Sequence, residues 1–203
     1  MQKCKQMQKR TFEEIRTILA GKTVGIAGAG GLGSNCAVAL ARVGMGRIIT
    51  ADFDTVSESN LNRQYFFKDQ VGIKKVLALK ENIARINPEV LVEAFDITLG
   101  PLNIPQIFVD CEVIVEAFDL AAMKVMIAET VLEKMPGRIL VMGSGVAGYG
   151  NNEAIKTVRS GNIYICGDQE NETDESLPPL APRVGIVASM QANLVLEILL
   201  KNI

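Results

Sequence analysis

Histidine is absent from all 203 residues. That removes every Ser–His or Cys–His nucleophile pair and every imidazole metal site, so the chemistry of this chain runs without an imidazole base. The four cysteines, Cys4, Cys36, Cys111 and Cys166, form no C-x-x-C pair. Thiolate zinc spacing is therefore missing, and no zinc is expected. Isolated cysteines of this kind read as small buried hydrophobes in a reducing cytoplasm. Aromatic residues amount to only 5%, few for a base-stacking surface. Neither sign of charge dominates, and a net charge of −2 favours neither nucleic acid nor an acidic membrane. The most apolar stretch, residues 184–200, is short for a membrane span and is interrupted by Gln191, Asn193 and Glu197. It reads as a packed core helix. Residues 1–10 are polar and basic with no apolar segment behind them, so no secretory signal is expected, and the expected location is cytoplasmic.

What is present suits one α/β domain over residues 1–203, with 48% hydrophobic and 22% charged residues. Helical patterns are predicted over 11–20, 33–43, 71–86, 104–109, 121–135 and 183–200. Strands are predicted over 22–27, 47–51, 90–95, 113–117 and 138–142. Segments 153–158 and 161–166 read as a hairpin turning at Arg159-Ser160-Gly161. Residues 167–182 form an acidic, proline-containing crossover loop. The alternation predicts a Rossmann-like, doubly wound, mainly parallel sheet covered on both faces, with a C-terminal hairpin. Its ligand belongs at the carboxyl ends of the strands.

The motifs fall at those ends. Gly28-x-Gly30-x-x-Gly33 lies between a strand and a helix: one glycine for the tight turn, one for phosphate approach, one for close helix packing. The helix N-terminus then offers N–H donors to an anion. Asp52, at the next strand end, is placed for ribose hydroxyls. These features fit NAD and ATP equally. Asp54, two residues on, reads as structural. Arg63 and Lys75 break the tie, because a triphosphate needs cations beyond the helix end, and a guanidinium and an ammonium would neutralise a departing pyrophosphate. Asp119 ends another strand and reads either as a Mg²⁺ ligand shared with phosphate oxygens or as a cap for the helix that follows.

The run GAGGLGSN…DFDTVSESNLNRQ…GIKK…INPEV resembles the ThiF/MoeB family, bacterial relatives of ubiquitin-activating enzymes. The similarity resumes at Leu180-Ala181-Pro182-Arg183-Val184-Gly185 and at Ser189-Met190-Gln191-Ala192-Asn193. It implies an ATP- and Mg-dependent adenylyltransferase that activates the C-terminal glycine carboxylate of a ubiquitin-like sulfur carrier. Gly31 and Asp52 would contact the adenosine side, Asn60, Arg63 and Lys75 the phosphates, and Asp119 would hold Mg²⁺. A homodimer is implied as well.

The chain departs from the family pattern in several places. The zinc cysteines are missing, and residues 167–182 contain no thiol for a covalent step. Cys166, at the edge of that loop, is the only nearby cysteine and reads as a core residue. The family's arginine from the partner subunit has only Arg10 and Arg16 as candidates. Leu120 stands where relatives often have Asn. A short, zinc-free chain looks most like the ThiF branch that adenylates ThiS for thiamine biosynthesis. The alternatives are a molybdopterin carrier or a tRNA adenosine modification within the same family. From other classes come an NAD-dependent oxidoreductase and a non-catalytic nucleotide-binding module.

Overall fold

The computed structural model describes residues 9–201; Cys4 lies outside them. Along the chain come α1 (Phe12–Leu19), β1 (Thr23–Ala27), α2 (Gly31–Arg42), β2 (Arg47–Ala51), α3 (Lys75–Ile86) and β3 (Leu91–Phe95). After these come α4 (Ile104–Ile107), β4 (Val113–Glu116), α5 (Ala121–Lys134), β5 (Ile139–Gly143), β6 (Lys156–Ser160), β7 (Ile163–Gly167) and α6 (Ala181–Lys201). The strands form one sheet in the order β3-β2-β1-β4-β5-β7-β6. All neighbours are parallel except β6 and β7. This is the Rossmann-like sheet with a C-terminal hairpin that the alternating pattern predicts. The strand order reverses at β1, whose partners are β2 and β4, so the crevice opens above the carboxyl ends of these three strands.

Period-two alternation sorts the core into two layers. Val24 and Ile26 of β1 join the cluster beneath α2, α3 and α6. Ala27 joins the opposite cluster, with Ile104, Phe108, Ile127 and Val131 of the α4–α5 side. Gly25 lies on that second face too, where a Cβ would come within 2.6 Å of the Phe108 ring. The long helix α6 is apolar and long enough to cross a membrane by length and composition. Here it packs against α2, and Val184, Val187, Ala188, Gln191, Val195, Ile198 and Leu199 bury one stripe of it.

Several boundaries differ from the sequence prediction. Helix α3 starts at Lys75 rather than at residue 71. Gly72 sits at φ +94°, and Thr55 and Lys74 form a short antiparallel bridge; both hold residues 72–74 out of the helix. The hairpin turns at Gly161-Asn162, with Ser160 opposite Ile163, because Gly161 takes the positive φ such a turn requires. Residues 153 and 154, predicted as strand, belong to a 3₁₀ turn, Asn152–Ala154, instead. Helix α6 begins two residues early, with Pro182 in its first turn, where a missing N–H costs nothing.

Candidate functional site

The glycine turn is built by close approaches. Gly28 adopts φ +99°, and its N–H donates to the Ala51 carbonyl at 2.9 Å. Gly33 lies so near that turn that a Cβ on it would fall 1.8 Å from the Gly28 carbonyl oxygen. The packing role assigned to the third glycine is therefore literal. Gly30 precedes the first residue of α2, Gly31, and no side chain caps the helix. Its first-turn N–H groups have no internal acceptor and face the crevice as an anion site. Asp52 ties the second strand to this turn: Oδ2 accepts the Ala29 N–H at 2.6 Å, and Oδ1 accepts the Asp54 N–H at 2.7 Å.

The long connection after β2 is held firmly in place. Ser34 Oγ donates to the Gly30 carbonyl and accepts the Tyr65 N–H. The Asn35 side chain donates to the carbonyls of Gly31 and Arg63. A buried Gln70–Asn82 pair pins the far end to α3. The first turn of α2 thus clamps residues 63–65 beside the glycines. Arg63 donates from Nη1 to the Ser59 carbonyl and to Asn62 Oδ1, which fixes the guanidinium in its own loop. Lys75, only 7% exposed in its side chain, donates to Asp54 Oδ2 at 2.6 Å. Asp54 is accordingly the fixed counter-charge of Lys75.

These groups line one crevice of about 510 Å³, together with Gly28, Gly30, Gly31, Asp52 and Asp119. Gly33 and Asn60 are not among the residues that line it. Asn60 accepts the Ser57 N–H with Oδ1 at 3.0 Å, and its carbonyl accepts from Arg63 and Gln64. It therefore shapes the turn that carries Arg63 into the crevice. Asp119 is exposed and has no hydrogen-bond or ion-pair partner among the described residues. Helix α5 carries no side-chain cap, so the capping alternative for Asp119 is not realised. No group of three or more His, Cys, Asp or Glu stands ready for a metal among the described residues. A single hard carboxylate in a phosphate crevice does fit Mg²⁺, which commonly takes one or two carboxylates and completes its shell with phosphate oxygens and water.

Sequence reasoning singled out neither Lys124 nor Asn171 nor Thr173 among the lining residues. Lys124, in the first turns of α5, and Asn171, Glu172 and Thr173 of the crossover loop all reach the crevice. Lys124 pairs with Glu116, which is wholly buried. Burial pushes the Glu116 carboxyl up, while Lys124 and the Phe118 N–H oppose that push. The signal for Glu116 was a charged residue ending an apolar strand, Val-Ile-Val-Glu. The crossover loop is anchored by Asp168, buried against Arg183 of α6. Burial alone would raise the Asp168 carboxyl. The N–H and side-chain amide of Asn171, the Glu170 N–H and the Arg183 charge outweigh it and hold the group down at about 2.

The three thiols among the described residues are core groups. Cys36, Cys111 and Cys166 are fully buried. Burial pushes all three upward, Cys111 to about 12. Arg16 pairs with Glu89 at 2.6 Å, and Arg10 donates to the Leu200 carbonyl at 2.7 Å; neither lines the crevice. A second concavity of about 400 Å³ lies at the α5–β5 turn. Its cations Lys134 and Arg138 already donate to the Pro101 and Val109 carbonyls.

A sequence model of the ThiF family matches residues 4–203. The chain belongs to the ThiF family. Other members of this family are adenylating enzymes of the ubiquitin-activating type. The ThiF-family chain is 42% identical over 88 residues to ubiquitin-like modifier-activating enzyme 5 of Arabidopsis thaliana, covering 43% of this chain and 20% of that protein. The protein of the same name from Gallus gallus is 37% identical over 101 residues, covering 50% of this chain and 24% of that protein. The chain thus spans a quarter or less of the length of these relatives. The E. coli tRNA N6-threonylcarbamoyladenosine dehydratase in complex with ATP shares the fold, with a TM-score of 0.81 at 23% identity. That match covers 94% of this chain and 90% of the other. E. coli MccB with ATP does so with a TM-score of 0.70 at 21% identity, over 91% and 58%.

Proposed function

We propose that this ThiF-family chain binds ATP in the crevice and adenylates the C-terminal carboxylate of a ubiquitin-like sulfur carrier, a ThiS-type protein of thiamine biosynthesis. The observation that carries this reading is the convergence of Arg63 and Lys75 on the crevice that also holds the glycine turn, Asp52 and Asp119. An NAD site needs no such pair of cations.

A carrier carboxylate is already ionised at neutral pH, so its attack on the α-phosphorus of ATP needs no general base. Pyrophosphate leaves without requiring a proton. The chain's own work is alignment and charge neutralisation, which suits a protein without histidine. The amides at the start of α2 receive phosphate oxygens. Arg63 offers a planar fork and Lys75 a point charge, each kept in place by its own loop contacts. Asp52 presents its carboxylate toward ribose hydroxyls. A Mg²⁺ shared by Asp119 and the phosphates would offset charge on the departing pyrophosphate. Asn171, Glu172 and Thr173 are placed to meet the incoming carrier tail. Cys166 is buried and takes no covalent step in this reading. The protein acts as a cytoplasmic homodimer in this reading, which sedimentation equilibrium tests.

The deciding experiment is exchange of labelled pyrophosphate into ATP with a Gly-Gly-tailed carrier present. Carrier-dependent exchange is expected. Its absence with an intact tail sinks the reading. A second reading keeps the adenylation step but places it on a modified tRNA adenosine, supported by the likeness to the E. coli dehydratase. Exchange or AMP formation that depends on tRNA and not on carrier would favour it.

A further inference from the structure

Glu116 and Lys124 form an ion pair at the crevice floor that the proposed reaction leaves without a role. Lys124 Nζ lies 2.8 Å from Glu116 Oε1, 3.0 Å from Oε2 and 2.8 Å from the Gly143 carbonyl oxygen. An ammonium has three hydrogens, and these three acceptors use all of them. Lys124 therefore lines the crevice without a hydrogen to spare for phosphate. Lys75 differs, since its ammonium has a single partner among the described residues, Asp54.

The pair grips the chain on both sides of Asp119. Glu116 Oε1 also accepts the Phe118 N–H at 2.6 Å, one residue before Asp119. Lys124 sits in the helix that starts two residues after it. The bond to Gly143 fastens both to the end of β5. Asp119 has no side-chain partner among the described residues, so its direction is set by the backbone that this pair holds.

We propose that Glu116 and Lys124 are positioning residues that aim the Asp119 carboxylate at the metal–phosphate group. The inference rests on the adenylation reading only in taking Asp119 as a metal ligand. Mn²⁺ is titrated by electron paramagnetic resonance against protein saturated with a non-hydrolysable ATP analogue. AMP affinity without metal is measured in parallel by calorimetry. Glu116→Gln and Lys124→Met are expected to weaken Mn²⁺ binding by about tenfold or more, as loss of an outer-shell partner does. Their AMP affinity should stay at the wild-type value, and Lys124→Arg should recover most of the metal affinity. Wild-type Mn²⁺ affinity in either folded variant overturns the proposal, as does a parallel loss of AMP and Mn²⁺ binding. Asp119→Ala is the reference: if it keeps Mn²⁺ binding, the positioning role falls even where carrier-dependent exchange is observed. If the wild type binds Mn²⁺ with nucleotide but gives no exchange, adenylation fails and the positioning role stands on the variants.

Discussion

At the scale of residues, the glycines separate fold from function. A Cβ at Gly33 would meet the Gly28 carbonyl at 1.8 Å, whereas one at Gly30 meets nothing closer than Gln64 at 3.8 Å. Gly33→Ala is expected to lose about 1–3 kcal/mol, the range for overpacking a tight contact, or to fail to fold. Gly30→Ala should unfold in urea within about 0.5 kcal/mol of wild type, as substitutions clear of packed contacts do. Urea unfolding that ranks the two alike would refute the assignment. The cations give the second test at this scale. Arg63→Ala and Lys75→Ala should each lower the exchange rate by about 100-fold or more, the cost of removing one preorganised charge stabiliser. A variant with wild-type exchange would mean that its cation does not touch phosphate. Much of this was readable in the sequence, because glycine spacing and loop cations are local facts. The partner of Lys75 was not. Asp54 looked merely structural until folding set it 2.6 Å from a buried ammonium 21 positions away.

At the scale of elements, the crossover loop and α6 act together through Asp168 and Arg183. The folded-state value of Asp168, about 2, lies below its ordinary 3.8. Its stabilising contribution is therefore complete above pH 4 and is lost as pH falls through about 2. The size of that contribution is about 2 kcal/mol. Denaturation measured between pH 2 and 5 should show this loss in the wild type and a flatter acid limb in Asp168→Asn. An unchanged acid limb would remove the latch from the account. Arg183→Met should cost about 3–5 kcal/mol, because it strands a buried carboxylate. Element positions were largely legible in the sequence, since hydrophobic period needs no tertiary knowledge. The misplaced starts of α3 and of the second hairpin strand share one cause: a glycine at positive φ, Gly72 or Gly161, outweighs the apolar pattern around it. The latch itself was invisible, because a charged loop reads as solvated unless the helix that covers it is known.

At the scale of the whole molecule, ligand binding reports on the crevice as a unit. ATP at about 100 times its Kd should raise unfolding stability by about 2.7 kcal/mol, and Tm should rise with ATP concentration. NAD should leave Tm unchanged. A shift with NAD and none with ATP would restore the oxidoreductase reading that the glycine turn and Asp52 alone permit.

The sequence by itself determined the sheet class, the glycine turn, the absence of imidazole chemistry and the family resemblance, because each depends on residue type and short spacing. Tertiary structure decided what each charge does. Asp54 became a counter-charge. Cys166 became a core thiol, and Lys124 a strut with every hydrogen engaged. The physical reason is that a charge acts through its nearest partners and its exposure to water. In a doubly wound sheet those partners arrive from strand ends far apart in the chain.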